Sequence, residues 1–172
     1  MEKILAYLVG KIISSNSSEA YALHSKSHFG EDKEGKIIYS HPEALFLVEK
    51  GKMSVFSGKK QLSERDLLKT IQRHDKKIQT KYVVFKDLRE KGYVVKTALK
   101  FGAEFRVYEK GKKPGEEHAK WIVFTDHESN KISWHEFSAK NRVAHSTKKN
   151  LLLAIVDDEN DVTFYEVKWL KP

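Results

Sequence analysis

No cysteine occurs in this chain of 172 residues. That absence excludes disulfides, thiol nucleophiles and cysteine-ligated metal, and it fits a reducing compartment. A long apolar run is missing too. Residues 1–13 are apolar but interrupted by Glu2, Lys3, Gly10 and Lys11. Such a segment is too short and too charged to cross a bilayer, and no small-residue cleavage site follows it. The expectation is a cytoplasmic protein. No pair of histidines has compact ligand spacing beside a suitable carboxylate, which argues against zinc. There is no phosphate-cradling glycine loop of the Walker type and no dinucleotide fingerprint. Internal repeats and low-complexity segments are absent as well.

Charge, by contrast, is abundant. Lysine and arginine number 32 against 24 acidic residues, a formal net charge of +8. The pI is about 9.4. That excess favours a polyanionic partner, most often nucleic acid. Lysine and glutamate enrichment also marks proteins from hot environments. With 40% hydrophobic residues the chain can build a core, so global disorder is excluded. Its length suits one large domain or two small ones.

Patterning divides the chain at the charged stretch 73–77, giving units 1–76 and 77–172. Residues 4–13 read as one strand bent at Gly10. A serine-rich patch at 14–18 follows, then short strands near 21–23 and 37–39. His41-Pro42 opens a helix with Ala44, Leu45, Leu47 and Val48 on its apolar face, and Gly51 stops it. Residues 53–56 read as a strand. Ser63 and Asp66 make a capping-box-like start before Leu67, Leu68 and Ile71. In the second unit, Ile78, Tyr82, Phe85 and Leu88 recur at helical spacing up to Gly92. Strands are predicted at 93–97, 104–109, 121–124, 151–156 and 162–170, with a weak helix over 133–145. Within 104–109, Phe105 and Val107 alternate with Arg106 and Tyr108, so Arg106 and Tyr108 share one face.

Three groups in the second unit carry chemistry. Tyr108 lies on an alternating strand, His118 follows a basic turn, and Lys148 and Lys149 end the run His145-Ser-Thr-Lys-Lys149. A hydroxyl, an imidazole and an ammonium brought together make a site for phosphodiester cleavage without a metal. One takes a proton, another gives one, and the third holds the negative charge between them. Taken singly, each has a plainer reading. Strand tyrosines mostly pack, lone histidines are mostly structural, and lysines at a helix end complement its dipole. Arg142, His145, Lys148 and Lys149 form one basic cluster, and Lys110, Lys112 and Lys113 another. Trp121, Trp134 and Trp169 offer stacking surfaces for unpaired bases. A competing chemistry is Glu166-Val-Lys168 with Asp157, Asp158 and Asp161 upstream, the residue set of magnesium-dependent nucleases. Against it, the acidic loop lies immediately before the strand instead of on a facing one.

The second unit resembles the archaeal tRNA-intron splicing endonuclease family. The resemblance runs through residues 81–97, Lys100-Phe-Gly-Ala-Glu-Phe-Arg-Val-Tyr108, His118-Ala-Lys-Trp-Ile-Val123, Arg142-Val-Ala-His-Ser146 with Lys149, and residues 151–165. It is weaker in the first unit, at His28-Phe-Gly30 and Pro42-Glu-Ala-Leu-Phe-Leu47. The resemblance implies an α+β chain: a small N-terminal α/β domain and a C-terminal restriction-endonuclease-like catalytic domain, whose central mixed sheet is flanked by helices. It also implies cutting of precursor tRNA at both ends of an intron, at a bulge-helix-bulge, leaving a 2′,3′-cyclic phosphate and a 5′-hydroxyl. No metal and no cofactor is implied.

By the same resemblance, Tyr108 is the general base toward the ribose 2′-hydroxyl, His118 the general acid for the leaving 5′-oxygen, and Lys149 the stabiliser of the charged phosphorane. A phenol ionises near pH 10. A tyrosine therefore serves as base only where a neighbouring cation lowers that value, or where it chiefly orients the hydroxyl. The substrate must be RNA, because its own 2′-hydroxyl is the nucleophile. The family usually has arginine before the catalytic lysine. Here that position is Lys148, which leaves Lys148 and Lys149 in competition, with Lys149 favoured. Arg142 resembles an arginine that the family stacks on a bulge base, reaching across to the partner subunit's active site. Trp169 and Lys148 are expected to assist in RNA binding. Asp157, Asp158 and Asp161 fall on a loop that family members dock into a basic pocket of a neighbouring dimer. A homotetramer is therefore expected, with a heterotetramer containing a separate structural subunit as the alternative. The last strand, 162–170, is expected to pair between subunits. A noncatalytic RNA-binding subunit that keeps the fold is the remaining alternative.

Overall fold

A computed structural model describes residues 2–172 of the protein, in two compact units divided between Tyr82 and Val83. The first contains β1 (Ile4–Val9), β2 (Ile12–Ser15), α1 (Ser18–Ser27), β3 (Glu31–Lys33), β4 (Lys36–Tyr39), α2 (His41–Glu49), β5 (Met53–Ser57), β6 (Lys60–Gln61) and α3 (Glu64–Gln72). Its six-stranded sheet has the order β3-β4-β2-β1-β5-β6. The pairing of β1 with β5 is parallel and the other pairings are antiparallel.

Two sequence expectations are corrected here. Residues 4–13 are not one bent strand. Gly10, at φ +62, and Lys11 form a turn, and β1 folds back on β2 as a hairpin. Residues 21–23 are helical, not extended. Ser17 caps α1 by accepting the Ala20 amide at 3.2 Å, which is the use of the serine-rich patch. His28-Phe-Gly30 and residues 42–47 meet through Glu43. This buried carboxylate accepts the Gly30 amide at 2.9 Å and the Ser40 amide and hydroxyl at 2.9 and 2.8 Å. Those bonds offset its burial. Phe29 and Phe46 stack beside it at 5.8 Å.

Helix α4 (Ile78–Glu90) leads into the second unit, which continues through β7 (Val95–Ala98), a 3₁₀ turn (Leu99–Phe101), β8 (Ala103–Val107), β9 (Trp121–His127), α5 (Trp134–Ser146), β10 (Asn150–Val156) and β11 (Val162–Val167). The sheet order is β11-β10-β9-β8-β7. Only β9 and β10 pair in parallel, which requires the crossover through α5. Ser133 starts α5 with a capping box shared with Glu136. On the α5 side of the sheet, Ile122, Phe124 and Leu151 pack with Ala144, flanked by Val143, Leu153 and Val167. On the opposite face Phe105 meets Phe85, both buried, at 5.8 Å. The last strand stops at Val167 rather than Leu170, and the residues after it are exposed. The described residues thus form a mixed α+β protein with two mixed sheets and five helices. Among the described residues no helix is long and apolar enough to cross a membrane.

Candidate active site

One row of the second sheet determines what its edge displays. Val107, Trp121 and Asn150 are neighbours across β8, β9 and β10. Strand β8 is antiparallel to the other two. It therefore leaves the row where they enter it, and the next residues out are Tyr108, Lys120 and Lys149. Backbone bonds hold this edge: the Lys120 amide donates to Val107 O at 2.9 Å, the Asn150 amide to Lys120 O at 2.9 Å, and the Tyr108 amide to Val94 O at 3.1 Å.

His118 stands two residues before Lys120, at the end of the turn that joins β8 to β9. Glu109 and Lys120 close that turn with an ion pair at 2.6 Å, and Lys112 and Glu117 form a second at 2.6 Å. The Lys120 ammonium holds the Glu109 carboxyl below the usual carboxylate range. Pairs so exposed add little stability; both lie within the segment that carries His118.

Helix α5 delivers the lysine. Lys148 takes the left-handed conformation, φ +56, as the residue that ends the helix. Its amide bonds His145 O at 3.0 Å, and the Lys149 amide bonds Ala144 O at 2.9 Å, the two closures of a Schellman motif. Lys148 is thereby spent on the turn, exposed and away from the cleft, and Lys149 becomes the first residue of the next segment.

Tyr108, His118 and Lys149 line one cleft of about 410 Å³, together with Lys100, Phe101 and Arg106. Tyr108 is 5% exposed, His118 is exposed, and Lys149 is half-buried. The Lys149 ammonium donates to Thr147 O at 3.1 Å and lies 5.6 Å from the Phe101 ring centre. Burial, then the charges of Arg106 and Lys100, hold it below the ordinary lysine range. A phenol, an imidazole and an ammonium therefore face one space large enough for a phosphodiester. Alternation in β8 already placed Arg106 on the face of Tyr108. Lys100 and Phe101 were not foreseen as site residues, because a short 3₁₀ turn brings them there.

A second depression, of about 350 Å³, lies along one face of α5, lined by Phe137, Ser138, Asn141, Arg142, His145 and Trp169. The Trp169 ring meets His145 edge-on at 4.2 Å. Arg142 and Trp169 thus share an exposed surface, whereas Lys148 lines neither hollow.

The acidic loop between β10 and β11 is shaped by its own first residue. Asp157 Oδ1 accepts the amides of Glu159 and Asp161, each at 2.9 Å. Asp158 projects at the tip, its side chain 88% exposed, 3.3 Å from His127. Glu166 accepts from Asn150 at 2.8 Å and pairs with Lys168 at 3.7 Å. Neither Glu166 nor Lys168 lines the cleft that holds Tyr108. Among the described residues no group of three or more histidines or carboxylates is arranged to hold a metal ion.

Two family models match successive parts of the chain. The family model described as tRNA intron endonuclease, catalytic C-terminal domain, matches residues 78–164, and that of the N-terminal domain of the same family matches residues 4–68. A tRNA-splicing endonuclease of Thermococcus kodakarensis is 42% identical over 169 residues, covering 98% of this chain and 99% of its own length. That of Pyrococcus abyssi is 39% identical over 173 residues, 99% of each chain. That of Methanothermobacter thermautotrophicus is 40% identical over 156 residues, 91% of each. With its catalytic domain spanning Tyr108, His118 and Lys149, the chain belongs to the tRNA intron endonuclease family.

Proposed function

We propose that this protein is a tRNA-splicing endonuclease that cuts precursor tRNA at the bulge-helix-bulge sites flanking an intron, by attack of the RNA's own 2′-hydroxyl. The observation that carries the reading is the convergence of three side chains, from three separate segments, on one cleft. Tyr108 takes the proton of the 2′-hydroxyl as that oxygen attacks the adjoining phosphorus. Lys149 holds the charge gathered on the phosphorane oxygens. His118, exposed at the mouth of the cleft, protonates the departing 5′-oxygen. The products are a 2′,3′-cyclic phosphate and a 5′-hydroxyl. No metal or cofactor enters this scheme.

Binding and assembly follow from the remaining surfaces. Arg142 and Trp169 share the depression on α5 and offer two flat faces for an unpaired base, with Lys148 reaching a phosphate nearby. The acidic loop of Asp157, Asp158 and Asp161 docks on a basic surface of another copy, giving a homotetramer. Two active sites at fixed separation then measure two bulges in one RNA.

The decisive experiment uses a bulge-helix-bulge RNA with a single 2′-deoxy substitution at the cut site, in excess EDTA. Unmodified RNA should be cut and the deoxy RNA left intact. Cutting of the deoxy RNA would overturn 2′-hydroxyl attack, and dependence on added metal would return the chemistry to Glu166 and Lys168. His118→Ala should slow cleavage by about 10²–10⁴-fold. A full rate in that variant would remove the proposed acid.

A further inference from the structure

Arg106 is a charged group in the cleft that the proton-transfer scheme leaves unused. It lies two residues before Tyr108, on the same face of β8, and both line the cleft. Its Nε is buried without a hydrogen-bond partner. None of the ion pairs among the described residues engages its guanidinium. Directly across the β7–β8 register stands Lys96, itself buried. A buried donor without a partner disfavours the folded state. Lys100 and Lys149 face the same space. Two carboxylates also line the cleft, Glu116, which is exposed, and Glu117, which is engaged with Lys112 at 2.6 Å. The site thus concentrates positive charge with a directional donor left open, a combination that an anionic ligand would complete.

We infer that Arg106, with Lys100 beside it, binds a backbone phosphate of the RNA adjoining the scissile one, and so seats the strand against Tyr108 and Lys149. The inference rests on the reading of the cleft as the RNA-cleaving site. A guanidinium suits the task because its planar fork engages two phosphate oxygens together, which an ammonium cannot do. Lys149 is then left to the reacting phosphate, while Arg106 sets the register of the chain that carries it.

Two measurements on the intact protein test this. The first titrates inorganic phosphate and follows the amide resonances of Tyr108 and Lys149; no cleavage is needed. Arg106→Gln should weaken phosphate binding by about 10-fold or more, the size of a lost hydrogen bond to a charged group. The second measures kcat and KM on bulge-helix-bulge RNA across a range of salt. Arg106→Gln should raise KM about 10- to 100-fold and flatten the plot of log kcat/KM against log salt by roughly 0.7–0.9, one phosphate contact. Arg106→Lys should recover the salt slope but only part of the affinity. Unchanged phosphate affinity, KM and slope in a folded Arg106→Gln variant would overturn the inference. If the wild-type protein binds phosphate through Arg106 but cuts no RNA, the cleavage reading fails and the anion site stands. Should the Gln variant not fold, phenylglyoxal labelling of Arg106 in the wild-type chain decides. Protection by inorganic phosphate supports the site, and unaltered labelling sinks it.

Discussion

The amide of Lys149 donates to the carbonyl of Ala144, five residues earlier, at 2.9 Å. That bond gives two adjacent lysines different surroundings. Lys148 absorbs the left-handed turn and points outward, and Lys149 emerges at the sheet edge beside Tyr108. Replacing Lys148 with Gly removes a conformational penalty of about 1 kcal/mol. The variant should gain that much in denaturant unfolding and keep its kcat, with weaker salt-dependent binding of RNA. Lys149→Ala should instead lose kcat by about 10²-fold or more, the scale of removing one stabilising donor. If the two variants lose kcat equally, the assignment between them is wrong.

Lys149 should also titrate below an ordinary lysine, whose reference value is about 10.4. Burial, Arg106 and Lys100 all disfavour its charged form, so its folded value lies below its unfolded one. Protonated Lys149 therefore weighs on the fold at low pH, and that burden lifts as pH rises through the folded value. Cleavage, which in the proposed scheme uses the ammonium, should decline over the same range. Arg106→Gln removes one of the three causes and should move the titration upward. Competitive acetylation read by mass spectrometry across pH measures this directly. A Lys149 that labels like a fully exposed lysine, in wild type and variant alike, would refute it.

Gly30 and Gly35 provide a paired test in the first unit. Both have φ above +70, but a Cβ on Gly30 would meet Ile37 Cγ2 at 2.3 Å, whereas one on Gly35 meets nothing within 4 Å. Gly35→Ala should cost about 1–2 kcal/mol, the left-handed penalty alone. Gly30→Ala adds overpacking beside Glu43 and should cost about 2–5 kcal/mol in total. Equal midpoints of chemical unfolding for the two would show that the close approach to Ile37 is relieved at no expense.

In the acidic loop, shape and charge can be separated. Asp157→Ala removes the acceptor for two loop amides, whereas Asp158→Asn with Asp161→Asn keeps that acceptor and deletes charge at the tip. Both changes should shift the proposed tetramer toward dimers in sedimentation, and the charge deletion should matter more at low salt. An unaltered mass in both variants would remove this loop from the assembly.

The legible parts of the fold were those with a clean period. Alternation located β8 and put Arg106 and Tyr108 on one face, and the apolar run of β10 was plain. Helix-start chemistry marked α2 and α3, whereas the capping box of Ser133 and Glu136 went unread and α5 was expected only as a weak helix. The first hairpin escaped because a glycine turn sat inside a continuous apolar run. Helix α1 escaped because it buries little beyond Ala20 and Leu23, too few positions to show a helical period. In the site, residue types and order suggested Tyr108 and His118. The resemblance favoured Lys149 over Lys148, and the backbone conformation at the end of α5 adds a physical reason, since Lys149 lines the cleft and Lys148 does not. Lys100 entered through a short turn that leaves no periodic trace.

The parallel pairing of β9 with β10 has a temporal corollary. That pairing joins strands separated in sequence by the whole of α5, a non-local and therefore slow event. Until it closes, Lys149 has no fixed relation to Tyr108 and His118. On the proposed reading, cleavage activity is therefore expected only of a chain whose second sheet is complete.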